Sequence, residues 1–268
     1  MQDNFVYLHD REEIEKFLRK DIFLNIYGIG DLDDFFWPYT CWFGHISGGE
    51  IDAVVLLYTG MELPTLIALS EDTDTMRKLL ESVAHVLPET FYGHFSPGLE
   101  SVFELTHSTT SHGKYIRMAL LDDEIVSGTD CGETTRLDSG DLDEILEFYR
   151  MSYPGHWFDP RMLKTGQYFG IRRDKILVSA GGIHVFSPEY GVGTLGNIAT
   201  LPDFRGRGFG KTVTARVCQS LLKDVEHIGL NVRSDNIAAV SCYEKLGFRE
   251  VALYGEFMIT KKGADEDE

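Results

Sequence analysis

The chain has 268 residues, a length that fits one large domain or two small ones. Its composition, 43% hydrophobic and 25% charged, is ordinary for a globular protein and excludes a disordered chain. The formal net charge of -18 argues against nucleic acid as a partner, because an acidic surface repels phosphate backbones.

Neither a membrane segment nor a metal motif is indicated. The sequence has no run of about 18 apolar residues, and its N-terminus lacks the basic start and apolar stretch of a secretory signal. The four cysteines form no CxxC pair. We therefore expect a cytoplasmic protein with reduced thiols, no membrane partner and no metal site.

The predicted elements follow the same order in two halves of the chain. Residues 8–18 and 137–149 each predict a short strand end and an amphipathic helix, which an aromatic loop, a tight turn and further strands follow. The polar segment 126–133 has no apolar periodicity and predicts a linker. We predict an N-terminal domain, a C-terminal domain and an acidic tail, at 1–126, 134–260 and 261–268.

The halves diverge after their third strand. The first half continues from Ser70 directly into a helix, whereas the second inserts a basic, glycine-rich turn before a helix that we predict over 209–222. Glycines let backbone N–H groups converge, and the helix N-terminus and the cationic side chains add positive charge. This predicts a pyrophosphate site in the second half. Its candidate residues are Arg205, Gly206, Arg207, Gly208, Phe209, Gly210 and Lys211.

The spacing of these glycines excludes two common phosphate-binding motifs. The motif G-x-x-x-x-G-K-[ST] would need glycine where Arg205 stands. The motif G-x-G-x-x-G also fails, whether it is started at Gly206 or at Gly208. The spacing that fits is R-x-x-G-x-G, formed by Arg205, Gly208 and Gly210.

R-x-x-G-x-G resembles the acyl-CoA motif of the GNAT superfamily of N-acetyltransferases. Residues 197–204 look like the central strand of that family and its exit, 230–236 like the next strand, and 236–248 like the closing helix. The match covers about residues 134–260, and in the first half only the layout is similar. The chain therefore resembles a tandem GNAT protein with a degenerate first copy, as in some glycine N-acyltransferase-like members. The resemblance implies an α+β fold of two tandem units, each a mixed, mostly antiparallel sheet flanked by helices.

The resemblance also implies acetyl-CoA, or another short acyl-CoA, as co-substrate. It places the main chain of Ile198, Ala199 and Thr200 along the pantetheine arm, and Asn236 at amide or phosphate groups. Asn236 and Tyr243 lie on one helix face, so the Tyr243 phenol would reach the sulfur end and act as general acid for the leaving thiolate. The alternative for Tyr243 is a core aromatic side chain.

The general base stays unassigned. Many GNAT relatives place a carboxylate early on the central strand, but residues 191–196 contain none. The nearby candidates are Glu189, His184 and His156, and a water relay is a further alternative. A lone histidine in a strand, such as His184, is also commonly structural.

The resemblance places the acceptor pocket at residues 153–162, with Trp157 and Phe158 as walls and His184 as a further candidate substrate residue. An aromatic and acidic segment of the first half would close this pocket and attract a cation, or would form an interface between the halves. Its residues are Asp31, Asp33, Asp34, Trp37, Tyr39 and Trp42.

These observations favour an enzyme that moves an acetyl or other short acyl group from acyl-CoA to the primary amine of a small molecule or amino acid. One alternative is a non-catalytic acyl-CoA-binding or regulatory module, which the missing strand carboxylate favours. Another is acetylation of a protein lysine or N-terminus. Tyr243 and the intact glycine turn favour the enzyme. The sequence is compatible with a homodimer.

Overall fold

The computed structural model describes residues 5–263, and residues 264–268 of the predicted acidic tail lie outside this range. The chain forms two compact units. Unit 1 extends to Arg117 and includes Arg233–Asp235 and the segment from Val251. Unit 2 comprises Met118–Val232 and Asn236–Glu250.

The units divide the chain at other places than the predicted domains. The first division, after Arg117, lies within a strand, and the predicted linker 126–133 overlaps a short helix of unit 2. The segment from Val251 is part of unit 1 because Gly255–Thr260 pairs with a strand of that unit.

Among residues 5–263, unit 1 contains a mixed sheet and three α-helices. Its strands run antiparallel from β1 to β4, β5 is parallel to β4, and β12 is antiparallel to β5. The strands are β1 (Val6–Leu8), β2 (Thr40–Ser47), β3 (Glu50–Tyr58), β4 (Thr65–Ala68), β5 (Thr90–Phe95), most of β6 (His107–Leu120) and most of β12 (Phe248–Lys261). The helices are α1 (Arg11–Leu18), α2 (Ile26–Gly30) and α3 (Thr73–Val83).

Helix α3 is the helix that the sequence predicts after Ser70. Asp72 caps its N-terminus by accepting the N–H of Thr75 at 3.1 Å. Its apolar side chains recur at helical spacing and are buried in the core of unit 1. They are Met76, Leu79, Leu80 and Val83.

Unit 2 repeats the pattern of a mixed, mostly antiparallel sheet with flanking helices, as predicted. Its strands pair in chain order from β7 to β11, and only β10 and β11 are parallel. The strands are β7 (Thr135–Arg136), β8 (Phe169–Arg173), β9 (Ile176–Ser187), β10 (Val192–Thr200) and β11 (His227–Arg233). The helices are α4 (Glu124–Gly128), α5 (Leu142–Ser152), α6 (Phe209–Leu221) and α7 (Ile237–Glu244).

The two faces of the unit 2 sheet carry different groups. A Cβ on Gly181 would meet Val213 of α6 at 3.1 Å, whereas a Cβ on Gly182 would meet the ring of Tyr168 at 2.4 Å. Because successive residues of a strand point to opposite faces, α6 covers one face and Tyr168 lies on the other. We call the second the Tyr168 face.

Among residues 5–263, no helix is long and apolar enough to span a bilayer.

Candidate active site

A bulge interrupts β10 where the pantetheine contacts are predicted. The register of β10 against β9 shifts between Gly196 and Ala199, so β10 has one residue more than β9 there. Asn197 lies in the left-handed region of backbone conformation, with a φ of 55°. The ladder between β10 and β11 ends at Leu195, before the bulge. We call the following stretch of β10, on the side of β11, the open edge.

The bulge decides which main-chain groups reach the open edge. Leu201 donates its N–H to a carbonyl of β9 at 2.9 Å, and the carbonyl of Ala199 accepts a hydroxyl from β9 at 2.9 Å. Main-chain groups of successive strand residues point to opposite sides, so those of Ile198 and Thr200 face the open edge. Of the three residues predicted to contact the pantetheine arm, Ala199 alone therefore faces β9.

Asn197 is held by a buried network that sequence analysis did not assign. The Tyr149 hydroxyl donates to the Asn197 carbonyl at 2.8 Å, and Asn197 Nδ2 donates to the Trp157 carbonyl at 3.3 Å and to the Tyr168 hydroxyl at 3.2 Å. Burial raises the pKa of both phenols, so they keep their protons. The sequence signal for this bulge is the asparagine at position 197, because asparagine tolerates the left-handed region better than most residues.

The predicted glycine-rich turn leads directly into α6, as expected. Gly206 and Gly208 have φ values of 76° and 87°, which side chains other than glycine rarely adopt. The first helical hydrogen bond joins the Thr212 N–H to the Gly208 carbonyl at 3.0 Å. The amides of Phe209, Gly210 and Lys211 have no hydrogen-bond acceptor within residues 5–263. They form a group of donors at the positive end of the helix.

The cationic side chains of the turn have different surroundings. Arg205 donates from Nε to the Thr200 carbonyl at 3.1 Å and from Nη2 to the Ser152 carbonyl at 3.2 Å. This guanidinium therefore connects the end of β10 to the end of α5. Arg207 donates to the Asp203 carbonyl at 3.0 Å. Lys211 is half-buried at the start of α6.

Helix α7 lies within the predicted closing segment 236–248. The side chain of Asn236 accepts the N–H of Ala239 at 3.2 Å and caps the helix, while Asn236 itself is exposed. Gly247 follows the helix with a φ of 97°, and a Cβ there would lie 1.7 Å from the carbonyl oxygen of Asp122. Only glycine fits this close approach.

Tyr243 lies on α7 with 9% of its surface exposed, and its ring packs edge-on against Phe248 at 5.9 Å. The positive charge of Lys211 lowers the pKa of the Cys242 thiol against the larger effect of burial, which raises it. The start of α6 and the middle of α7 are therefore close enough for electrostatic coupling. This position of Tyr243 is compatible with a role as general acid and with a role in packing.

The predicted acceptor residues lie on the Tyr168 face. Phe158 is buried between Tyr149 and Tyr168, with ring centroids 5.3 and 5.4 Å away. Trp157 is half-buried, and its carbonyl accepts from Asn197. The Asn197 side chain thus joins the predicted acceptor loop to the bulge of the predicted cofactor strand.

The candidate bases have separate locations. The ring of His184 lies over Gly196 on β10, because a Cβ built on that glycine would be 2.4 Å from His184 Cδ2. His156 lies 5.0 Å from the Tyr149 ring, and burial lowers its pKa. Glu189 is exposed in the turn between β9 and β10, at the end of β10 opposite to the bulge.

The aromatic and acidic segment of the first half is part of unit 1. Asp34 pairs with Arg11 at 2.7 Å, and the same guanidinium lies 4.5 Å above the Trp37 ring. Burial raises the pKa of Asp31 well above its usual range, which favours its neutral form. Trp37 stacks on Trp42 at 6.3 Å. Within unit 1, Asp34 and Trp37 thus both contact Arg11, and Asp31 and Trp42 are buried.

A protein family and several curated proteins match part of the chain. Residues 168–255 match the family of FR47-like proteins. A ribosomal protein bS18-alanine N-acetyltransferase from Salmonella typhimurium is 36% identical over 74 residues, 27% of this chain and 50% of that protein. A mycothiol acetyltransferase from Tsukamurella paurometabola is 34% identical over 98 residues, 35% of this chain and 34% of that protein. The chain therefore spans at most half the length of these curated relatives.

A solved structure matches nearly the whole chain. A tandem GNAT protein from the clavulanic acid biosynthesis pathway superposes with a TM-score of 0.54 over 97% of this chain and 98% of its own. Sequence identity is 14%, so this likeness describes the fold. The fold found here is thus one that GNAT proteins have.

Proposed function

We propose that this protein, which has a GNAT fold and an FR47-like region at residues 168–255, is an acetyltransferase that moves an acetyl group from acetyl-CoA to a primary amine. The observation that carries the proposal is the pairing of two features of unit 2. The open edge of β10 presents main-chain groups, and the glycine-rich turn connects this strand to the unpaired amides at the start of α6.

The amides of Phe209, Gly210 and Lys211 would bind the pyrophosphate. Oriented N–H groups at a helix N-terminus favour anions, and Lys211 adds a full positive charge. Arg205 contributes differently from the sequence expectation, since its guanidinium is bound to two carbonyls. In this proposal it fixes the turn relative to β10, and the amides make the phosphate contacts.

The open edge would take the pantetheine arm as an added strand. Ile198 and Thr200 offer main-chain N–H groups there, while the Thr200 carbonyl already accepts from Arg205. An amide donor beside the thioester carbonyl stabilises the negative charge that develops when an amine attacks. Tyr243 would protonate the thiolate that leaves. Asn197 keeps the bulge in place through its hydrogen bonds to Trp157 and Tyr168.

Unit 1 would be the degenerate copy, with no acyl-CoA site. Where unit 2 is open after its parallel pair of strands, unit 1 is closed: the Ser96 hydroxyl donates to the Ser70 carbonyl at 3.0 Å and accepts the Ser70 N–H at 2.9 Å. The following helix α3 begins at the carboxylate of Asp72, whose pKa is lowered by its hydrogen bonds to Thr75. A negative charge at this position repels phosphate.

The acceptor in this proposal is a small-molecule or amino-acid amine. The mycothiol acetyltransferase relative supports a small molecule, and the ribosomal protein alanine N-acetyltransferase relative supports a protein N-terminus as the second candidate. Phe158 and Trp157 would form apolar walls on the Tyr168 face, where the amine approaches the thioester.

Calorimetric titration with acetyl-CoA and steady-state thiol release with a panel of amines test the proposal. The panel contains glycine, alanine, an S-methylcysteine amide, spermidine and a peptide that begins with alanine. We expect micromolar to millimolar acetyl-CoA affinity and amine-dependent release of CoA. Binding without amine-dependent turnover would favour the non-catalytic acyl-CoA module, and absence of binding would refute both.

A further inference from the structure

His184 occupies a second bulge on the strand next to β10. The register between β9 and β10 shifts between Thr194 and Leu195, which pair with Val185 and Ile183 and leave His184 as the extra residue of β9. Bulges redirect side chains and are common beside active sites. This one lies on the strand that faces the bulge of Asn197, within a few residues of it.

The His184 ring covers a position where β10 has no side chain. A Cβ on Gly196 would lie 2.4 Å from Cδ2, 2.6 Å from Cγ and 2.6 Å from Nε2 of His184, so the ring lies flat over the Gly196 backbone. Gly196 is paired with Gly182, whose missing Cβ faces Tyr168. Paired residues share a face, so the imidazole lies on the Tyr168 face, where the proposed acceptor walls are.

The spacing along β10 suits a proton acceptor. Ile198, whose main chain faces the open edge, follows Gly196 by two residues, so the two positions are separated by at most about 6.6 Å along the strand, and by less because Asn197 between them is not extended. A reacting amine nitrogen needs a base at about 3 Å and a thioester carbon at about 3–3.5 Å. One amine nitrogen therefore fits between the His184 ring and a thioester carbonyl held at Ile198.

We propose that His184 is the general base that takes the proton from the acceptor amine. The proposal rests on the acyl transfer proposed above. The amine nitrogen attacks the thioester carbon, a C–N bond forms, and one N–H proton passes to an imidazole nitrogen. The C–S bond then breaks, the sulfur takes a proton from Tyr243, and the phenolate regains a proton from solvent as the imidazolium loses one. The net products are an amide and CoA thiol.

The other candidate bases have different positions. His156 Nδ1 accepts the Phe158 N–H at 3.2 Å, which fixes the ring within the loop 153–162 and not on β9. Glu189 is separated from Asn197 by the length of β10 from Val192, about 16 Å at strand spacing. The residues of β10 itself from Gly191 to Gly196 include no carboxylate. His184 thus supplies, from the neighbouring strand, a proton acceptor directly above β10.

A double-mutant cycle between His184 and Gly196 tests this role. We expect His184→Gln to lower kcat by at least about 100-fold, the lower end for a general base, with acetyl-CoA affinity unchanged within about threefold. Gly196→Ala keeps the imidazole but pushes its ring aside, so it should lower kcat comparably. In the His184→Gly background the same alanine should have little further effect, because no ring is left to displace.

Chemical rescue provides a second readout. Added imidazole should restore His184→Gly activity at least about tenfold with saturation, because the vacated space lies over Gly196. It should not restore the double variant His184→Gly/Gly196→Ala, in which the added methyl group narrows that space, nor Tyr243→Phe.

Near-normal kcat in His184→Gln would overturn the inference, and so would a joint loss of acetyl-CoA binding, which would indicate a structural histidine. In either case the proposed function stands if the wild type transfers acetyl groups. If the wild type acetylates no amine of the panel, the proposed function fails and the inference fails with it.

Discussion

Units 1 and 2 contain the same local arrangement, a strand that is parallel to its neighbour and continues into a helix, but they end it differently. In unit 1, β4 pairs with β5 up to Ala68, and the Ser96 hydroxyl then bridges to Ser70. In unit 2, the pairing ends at Leu195 and the bulge at Asn197 follows. Similar secondary structure thus gives a closed sheet edge in one unit and an open edge in the other.

The N-termini of the helices that follow, α3 in unit 1 and α6 in unit 2, also differ. Asp72 places a carboxylate on the first turn of α3 and satisfies an amide internally. Gly208 gives α6 an N-cap without a side chain, which leaves the helix amides accessible. A single residue type at the cap therefore decides whether a helix start binds its own side chain or is open to an external anion.

Among the tests of the difference between the units, Tyr243→Phe in unit 2 should have the largest effect, a loss of turnover. The substitution keeps the ring contact with Phe248 and removes the only proton that the side chain can give. Turnover should fall by about 10²–10⁴-fold, with acetyl-CoA affinity nearly unchanged, as measured by steady-state kinetics and calorimetry. The loss should shrink for an acyl donor with a more acidic leaving thiol. Phe248→Leu is the control, since it changes the packing and keeps the hydroxyl; if it matches Tyr243→Phe, Tyr243 is a core residue.

Gly208→Val tests the helix start of unit 2. The side chain would strain a backbone with a φ of 87° and cover the amides that face the proposed pyrophosphate. Acetyl-CoA affinity should drop by about 100-fold, equivalent to losing roughly two charge-assisted hydrogen bonds, in a calorimetric titration. Gly191→Val is the matched control, because Gly191 also has positive φ, 67°, and open space, but lies in the turn between β9 and β10. Equal losses in both variants would contradict an anion site at α6.

The asymmetry of the units predicts one acetyl-CoA per chain. Calorimetry and equilibrium dialysis should both give a stoichiometry of one, because unit 1 has a closed edge and an acidic helix cap. Ser96→Ala should keep that stoichiometry and reduce the free energy of unfolding by about 1 kcal/mol, since the Ser70 amide and carbonyl lose their partner. A second bound acetyl-CoA in the wild type would show that unit 1 is not degenerate.

The smallest expected effect is the pH dependence of the stability of unit 1. Burial lowers the pKa of His94, the charge of Glu256 opposes this effect, and the charge of Arg117 adds a smaller lowering. The folded state therefore binds a proton less readily than the unfolded state, so stability is lost as pH falls below about 6.5, the ordinary histidine value. Thermal unfolding at pH 5 and pH 7.5 should show this loss, and His94→Gln should reduce the difference. An unchanged difference would assign it to other groups, of which His107 and His156 also have lowered pKa values.

Much of unit 2 could be predicted from local pattern. The helix after the glycine turn, predicted over 209–222, is observed at Phe209–Leu221, and α7 lies within the predicted closing segment 236–248, with Asn236 as its cap and Gly247 shortly after its end. These features depend on interactions within a few residues: helical periodicity, a side chain that bonds to a nearby amide, and a glycine with positive φ. The predicted tandem order of elements follows from the same local signals.

The bounds of the two compact units depend on strand partners far along the chain. Residues from Val251 look like a continuation of the second half, but Gly255–Thr260 pairs with Thr90–Phe95. Nothing in the local pattern of a strand specifies which strand it will pair with. The polar composition of 126–133 indicated a linker, yet Gln219 of α6 donates to the carbonyls of Val126 and Thr129 and fixes part of it to unit 2.

The sequence alone was enough for the fold class, for the position of the glycine-rich turn before α6, and for the contrast between this basic turn in one half and a direct entry into a helix in the other. The folded structure was needed to see that Asn197 forms a bulge, that Arg205 binds carbonyls, and that the His184 ring lies over Gly196. The reason is physical. Caps, turns and periodicity are set by neighbours in the chain, whereas a bulge or a ring position is set by the register between strands, which is fixed when distant segments pack together.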